Sequence, residues 1–129
     1  MYTKNDIGIL ILRIAMGGLL LPHGIGKIHR LSAFPDIHFA DPLGLGPTVS
    51  LILTIGAEVF CALLVIIGHK TKFATIPLMI LFFVIIFIVH IDDPWAKKEM
   101  ALLYFSGFAA LYFWGSGKLS VDYFLNKKT

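Results

Sequence analysis

Four apolar stretches near the length of a bilayer-crossing helix, the first three carrying isolated ionisable residues, constrain this chain more than any other feature. The first contains Arg13 to Lys27, R-I-A-M-G-G-L-L-L-P-H-G-I-G-K. An ionised group near the bilayer centre costs at least ~2.5 kcal/mol, so such residues face protein or water rather than lipid. What Arg13, His23 and Lys27 face is the question the chain poses.

Hydrophobic residues make up 57% of the chain and charged residues 15%. Soluble domains average about 25% charged and about 45–50% apolar. The chain is therefore read as an integral membrane protein. Its 129 residues hold four spans and short loops, with no room for a separate soluble domain. The formal charge of +3 is dispersed over loops, which argues against nucleic acid as a partner. A single cysteine, Cys61, excludes an internal disulfide framework and any C-x-x-C motif. The N-terminus has only Lys4 as a basic region, an arginine inside its apolar run and no small-x-small site after it. It is expected to stay as the first helix rather than be cleaved.

The spans are expected at about residues 7–28, 49–67, 73–90 and 100–114 of one membrane domain covering residues 1–129. The fold class is all-α, a four-transmembrane-helix bundle. Asn5 and Asp6 suit the N-cap of span one. Gly17, Gly18, Gly24 and Gly26 thin its sides for close helix approach, and Pro22 interrupts its hydrogen bonding. Residues 29–50 are too polar to span but carry enough apolar side chains (Phe34, Phe39, Leu43, Leu45) to lie on the bundle mouth. Four spans put both termini on one side. That side holds Lys4, Lys70, Lys72, Lys118, Lys127 and Lys128, against Lys27, Arg30, Lys97 and Lys98 on the other. The bias favours cytoplasmic termini. Trp95 and Trp114 bracket span four as interfacial aromatics do.

Counting 1.5 Å per residue from the same boundary puts Arg13 about 9 Å and Glu58 about 13 Å deep. A bidentate guanidinium–carboxylate pair keeps two charges in a bundle core at low cost, so an Arg13–Glu58 contact is expected. The plainer alternatives are a protonated Glu58 or an Arg13 that snorkels. His23 and His90 fall near one level, about 24 Å and 25 Å up. Lys27, Asp92, Asp93 and Glu99 share that layer. His23, Lys27, His90 and Glu99 therefore form a candidate ligand-binding vestibule at the outer mouth.

No metal is expected there, because neither histidine has a second histidine at i+3 or i+4 and acids at a helix end are usually solvated. Haem fits worse, since the histidines lie near the membrane surface. A quinone headgroup, which wants a hydrogen-bond donor beside an apolar slot, fits best among ligands. The structural alternative is a hydrogen-bond network of His23, Lys27 and Glu99 that locks helix ends. Cys61 reads as a packing residue, and the aromatics of span four (Tyr104, Phe105, Phe108, Tyr112, Phe113) as lipid-facing or neighbour-facing. A transporter is ranked last, because no inverted repeat is evident.

Arg13 followed by His23-Gly24-Ile25-Gly26-Lys27, then Ala57-Glu58, then Gly68-His69-Lys70-Thr71, then Gly115-Ser116-Gly117-Lys118-Leu119-Ser120-Val121-Asp122 occur in an order and spacing that resemble the DoxX family of small bacterial membrane proteins. The resemblance covers nearly the whole chain. It implies a compact four-helix bundle in the bacterial inner membrane. Family members are linked to respiratory and thiosulfate–quinone redox complexes and to membrane complexes with antioxidant partners. More distant relatives look like cargo receptors or chaperones of membrane proteins. Two functions are therefore expected. One is an accessory, quinone-associated subunit of a membrane oxidoreductase, with electrons supplied by a partner protein. The other is a non-enzymatic scaffold or assembly factor. No cofactor other than quinone is implied, and the lipid bilayer is the constant partner.

Overall fold

The computed structural model describes residues 1–127 of the chain, so Lys128, one of the bases counted above, lies outside the described residues. Every regular element among them is helical. Helix α1 spans Lys4–Ile28 and continues into a tight 3₁₀ turn, His29–Ala33. It begins at a capping box rather than at Asn5. Thr3 Oγ1 accepts the Asp6 N–H (3.2 Å), and Asp6 Oδ2 accepts the Thr3 N–H (2.8 Å). Asp6 thus serves as the reciprocal partner, not as the cap. The buried residues of α1 are Asp6, Ile9, Arg13, Gly17, Leu20 and Gly24. Their spacing of three or four residues is one face of an α-helix.

Helix α2 runs over Pro47–Ile67, with Pro47 in its first turn and a π-helical stretch at Gly56–Cys61. Helix α3 runs over Thr71–Val89 and ends in a second π stretch, Ile85–Val89. Helix α4 is Trp95–Trp114, starting a turn earlier than expected because Pro94 serves as its N-cap. A short helix not foreseen from sequence, α5, spans Val121–Lys127. Helices α1 to α4 pack in a ring, each against its sequence neighbour, with α4 closing back on α1. Glycine governs the α1–α2 contact. A Cβ on Gly17 would lie 2.6 Å from Ile66 Cγ1, and one on Gly24 would lie 2.8 Å from Glu58 Cβ. Two turns apart on one face, these glycines set the register of the two helices. On the α3–α4 side, Phe82 stacks on Tyr104 (5.0 Å between centroids) and on Phe108 (6.1 Å). Phe108 therefore belongs to the core, while Phe113 faces outward.

Large side chains cover the outside of the ring, among them Leu19, Phe60, Phe83, Leu103 and Phe113. So much exposed apolar surface is what a lipid solvent requires. Three helices are long and apolar enough to cross a membrane: Lys4–Ala33, Pro47–Ile67 and Thr71–Val89. Helix α4 opens with Lys97, Lys98 and Glu99, which shortens its apolar part. The Lys118 N–H donates to Asp6 Oδ1 (3.3 Å), so the start of α1 and the segment after α4 share one end of the bundle.

Candidate functional site

Two polar constellations lie along the α1–α2 seam. At the end holding the N-terminus, Arg13 is 2% exposed and bonds only to backbone carbonyls. Its Nε donates to Val65 O (2.9 Å) and Nη2 to Ile66 O (2.8 Å). Its Nη1 donates to Ser116 O (2.6 Å) and Leu119 O (2.8 Å). Val65 and Ile66 belong to the last turn of α2, where carbonyls run short of intrahelical donors and carry the negative end of the helix dipole; Val65 O also accepts the Gly68 N–H (3.2 Å). Arg13 thus caps α2 and ties it to the segment after α4. Gly68 makes room for the guanidinium. Its φ is +74°, and a Cβ there would sit 2.5 Å from Ser120 Cβ and 2.8 Å from Arg13 Cζ.

The expected Arg13–Glu58 pair is therefore corrected. Equal-depth counting assumed that α1 begins level with the end of α2. Because Gly24 lies against Glu58 and Gly17 against Ile66, the true register is shifted by about eight residues, or roughly 12 Å. That shift brings Arg13 to the C-terminus of α2. It gives Glu58 to Lys27, one turn beyond Gly24 on the same face.

Lys27 Nζ donates to Glu58 Oε2 at 2.5 Å, a charge-assisted bond. The Glu58 side chain is 4% exposed and that of Lys27 25%. Glu58 sits within the π stretch of α2, and the other π stretch ends one residue before His90. Such local widening of a helix is concentrated at functional sites. Glu58 and His90 border two cavities. The first, about 240 Å³, lies between α2 and α3. Ser50, Thr54, Glu58 and Lys27 form its polar side, and Leu53, Leu81, Val84 and Val89 its apolar side. Phe39, Ala40 and Pro42 of the loop complete its wall. The second, about 170 Å³, lies towards α1 and α4 and is bordered by His23, Lys97 and Tyr104.

The loop over the mouth is held by Asp41. Its Oδ1 accepts from the Leu45 N–H (2.9 Å) and Ser50 Oγ (2.8 Å), and its Oδ2 from the Gly46 N–H (2.9 Å). The Ser50 bond is the main reason why the Asp41 carboxyl stays below its ordinary 3.8; burial opposes it, and the Gly46 and Leu45 amides add to the lowering. At the far side of the mouth His90 Nδ1 meets Asp93 Oδ2 at 2.6 Å. That bond, assisted by Lys97, lowers Asp93 in the same way.

Of the four candidate vestibule residues, Lys27 and His90 line the first cavity, and His23 and His90 the second. Glu99 is exposed and borders neither, so no network of His23, Lys27 and Glu99 forms. The sequence reading missed Ser50 and Thr54. Their signal is the spacing Ser50, Thr54, Glu58, three polar residues at i, i+4 and i+8 on an otherwise apolar helix. Among the described residues no group of three or more His, Cys, Asp or Glu side chains is placed to hold a metal ion.

An all-helical chain with three membrane-length apolar helices and a lipid-facing exterior is a multi-pass membrane protein of small size. The chain belongs to the DoxX family, whose model matches residues 8–91 and thus both halves of the Lys27–Glu58 site. An uncharacterized protein of Haemophilus influenzae is 27% identical over 130 residues, covering 95% of this chain and 86% of that protein. No solved structure matches the chain.

Proposed function

We propose that this DoxX-family protein is an accessory subunit of a membrane redox complex that receives a quinone headgroup beside Glu58, Lys27 and His90. The observation that carries the reading is a buried carboxylate, paired with an ammonium, that borders a mostly apolar cavity between two lipid-facing helices. At about 240 Å³ the cavity is smaller than the ~300 Å³ at which whole-ligand pockets begin. That suits a ring whose isoprenoid tail stays in the bilayer. Leu53 and Val89, exposed at the cavity edge, give the tail an apolar exit. Lys27 and His90 supply hydrogen bonds to quinone oxygens, and the Lys27–Glu58 pair holds a proton beside them. The electrons come from a partner protein.

In this reading α4 is the fourth span, and both termini lie in the cytoplasm of a bacterium, with the protein in its inner membrane. The excess of basic residues at the terminal end supports that orientation. The test is native mass spectrometry of protein extracted gently from bacterial membranes. A bound quinone, and slowed respiratory electron flow in a deletion strain, are the expected results. Absence of quinone together with unchanged electron flow contradicts the proposal. A second reading, an assembly factor for other membrane proteins, draws on Gly18 and Gly26. Both face outward on α1 with open space where a Cβ would stand. Stable copurification of a membrane protein without any quinone favours it.

A further inference from the structure

At the opposite end of the bundle from Glu58 lies a cavity of about 330 Å³ that the quinone reading does not use. It is formed where α3 begins, by Lys70, Thr71 and Lys72, and by the segment after α4, including Gly115, Ser116 and Asp122. Three observations point to one ligand chemistry. First, α3 starts with no side-chain cap, so its first amides have no intrahelical partner and carry the positive end of the helix dipole. Second, Thr71 lines the cavity at 1% exposure, and its hydroxyl has no hydrogen-bond partner. A buried hydroxyl left without a partner costs about 1–3 kcal/mol, which a ligand oxygen offsets. Third, Lys70 and Lys72 make no ion pair among the described residues, and the Lys72 stem passes over Gly115 at the cavity edge. The one carboxylate here, Asp122, is already engaged. Its Oδ1 accepts the Lys70 N–H (3.0 Å) and lies 3.3 Å from His69 Nδ1. The geometry between Asp122 and His69 makes an ion-pair distance but not an aligned hydrogen bond, since His69 Nδ1 is otherwise without a partner.

We propose that this cavity binds a phosphate group, either the headgroup of an anionic phospholipid or free phosphate. Phosphate oxygens take the uncapped α3 amides, the Thr71 hydroxyl and the two lysine ammonium groups. Phe73 and Trp114, both strongly exposed, flank the site as aromatics do at the membrane interface. The site is independent of the quinone reading and stands or falls without it.

The experiment uses the full chain in a zwitterionic detergent. Native mass spectrometry follows retention of phosphatidylglycerol against phosphatidylcholine offered in equal amounts, and calorimetric titration follows inorganic phosphate. Preferential retention of phosphatidylglycerol identifies a lipid site, and saturable phosphate binding without that preference identifies free phosphate. Either result supports the proposal. Lys70→Asn with Lys72→Gln is expected to weaken the preferred ligand by about 25-fold, from roughly fivefold per lysine near an anionic group. Asparagine at position 70 tolerates the left-handed backbone (φ 48°) found there. Thr71→Val removes only the hydroxyl. It is expected to raise the melting temperature of ligand-free protein while weakening phosphate or lipid about tenfold. A purely structural threonine does not give that opposed pair of effects. Equal retention of both lipids with no saturable phosphate binding overturns the proposal, and so does a preference that both variants leave unchanged.

Discussion

Arg13 and Glu58 are both buried charges on the same helix seam, yet their surroundings differ in kind. Arg13 spends four bonds on fixed carbonyl oxygens of two chain segments, and the residue needed to admit it, Gly68, has no space to spare. Glu58 has one bond, to a lysine side chain that reaches solvent, and lies against two cavities. Both carry the cost of leaving water. Backbone acceptors do not titrate and do not leave, so the arginine acts as a lock. A carboxylate whose partner is a flexible ammonium, with empty volume beside it, is free to exchange partners with a ligand. The difference separates structure from function more sharply than burial alone.

The largest effect that tests this contrast belongs to Arg13. Arg13→Met removes a donor from four carbonyls, of which Val65 O keeps the Gly68 N–H. At about 1–3 kcal/mol for each group that stays buried, the expected loss exceeds roughly 3 kcal/mol. Thermal unfolding in detergent reads it, and a variant as stable as the parent breaks the contrast. Arg13→Lys is expected to recover only part, because one ammonium cannot span four acceptors on two segments.

Gly68→Ala comes next. A left-handed backbone costs a non-glycine residue about 1–2 kcal/mol, and the added methyl also collides with Ser120 and the guanidinium. A fall in melting temperature smaller than that of Arg13→Met, but in the same direction, is expected. Glu58→Gln follows, with a stability change of about 1 kcal/mol or less, because Lys27 keeps a route to water. Its effect on quinone retention is expected to be at least about tenfold, the loss of one charge-assisted bond.

The smallest effect concerns the loop. Asp41 is held below its ordinary 3.8 in the folded protein, mainly by Ser50. A carboxyl depressed on folding adds stability that is present above the unfolded value and is lost as pH falls through the folded one. Between about pH 7 and about pH 5 the loop contact should be unchanged, and it should weaken below about pH 4. Ser50→Ala is expected to reduce that acid sensitivity. Proteolysis of the loop as a function of pH measures it, and an equal profile in the variant assigns the acid effect elsewhere.

The apolar runs were long enough to place the helices from sequence, since a membrane helix announces itself by length and composition. Legibility failed where two helices had to be set against each other. Nothing in the runs around Arg13 and Glu58 fixes their relative height. The register follows from which glycines, of the five on α1, turn inward. Gly17 and Gly24 do, whereas Gly18 and Gly26 meet nothing. The Arg13–Glu58 expectation fell for that reason. Lys27 and His90 were recognised as cavity residues because their level is set by helix ends, which are easier to read than helix middles. Ser50 and Thr54 were passed over because single hydroxyl residues on an apolar helix are common, and only their alignment with Glu58 sets them apart.

The most direct test of the central claim pairs two readouts, melting temperature and bound quinone, on Arg13→Met and Glu58→Gln purified side by side. The account predicts that Arg13→Met loses stability, whereas Glu58→Gln keeps its melting temperature and loses the quinone. If Glu58→Gln melts as early as Arg13→Met, or stays folded with its quinone fully bound, the division of the seam into a lock and a ligand site is contradicted.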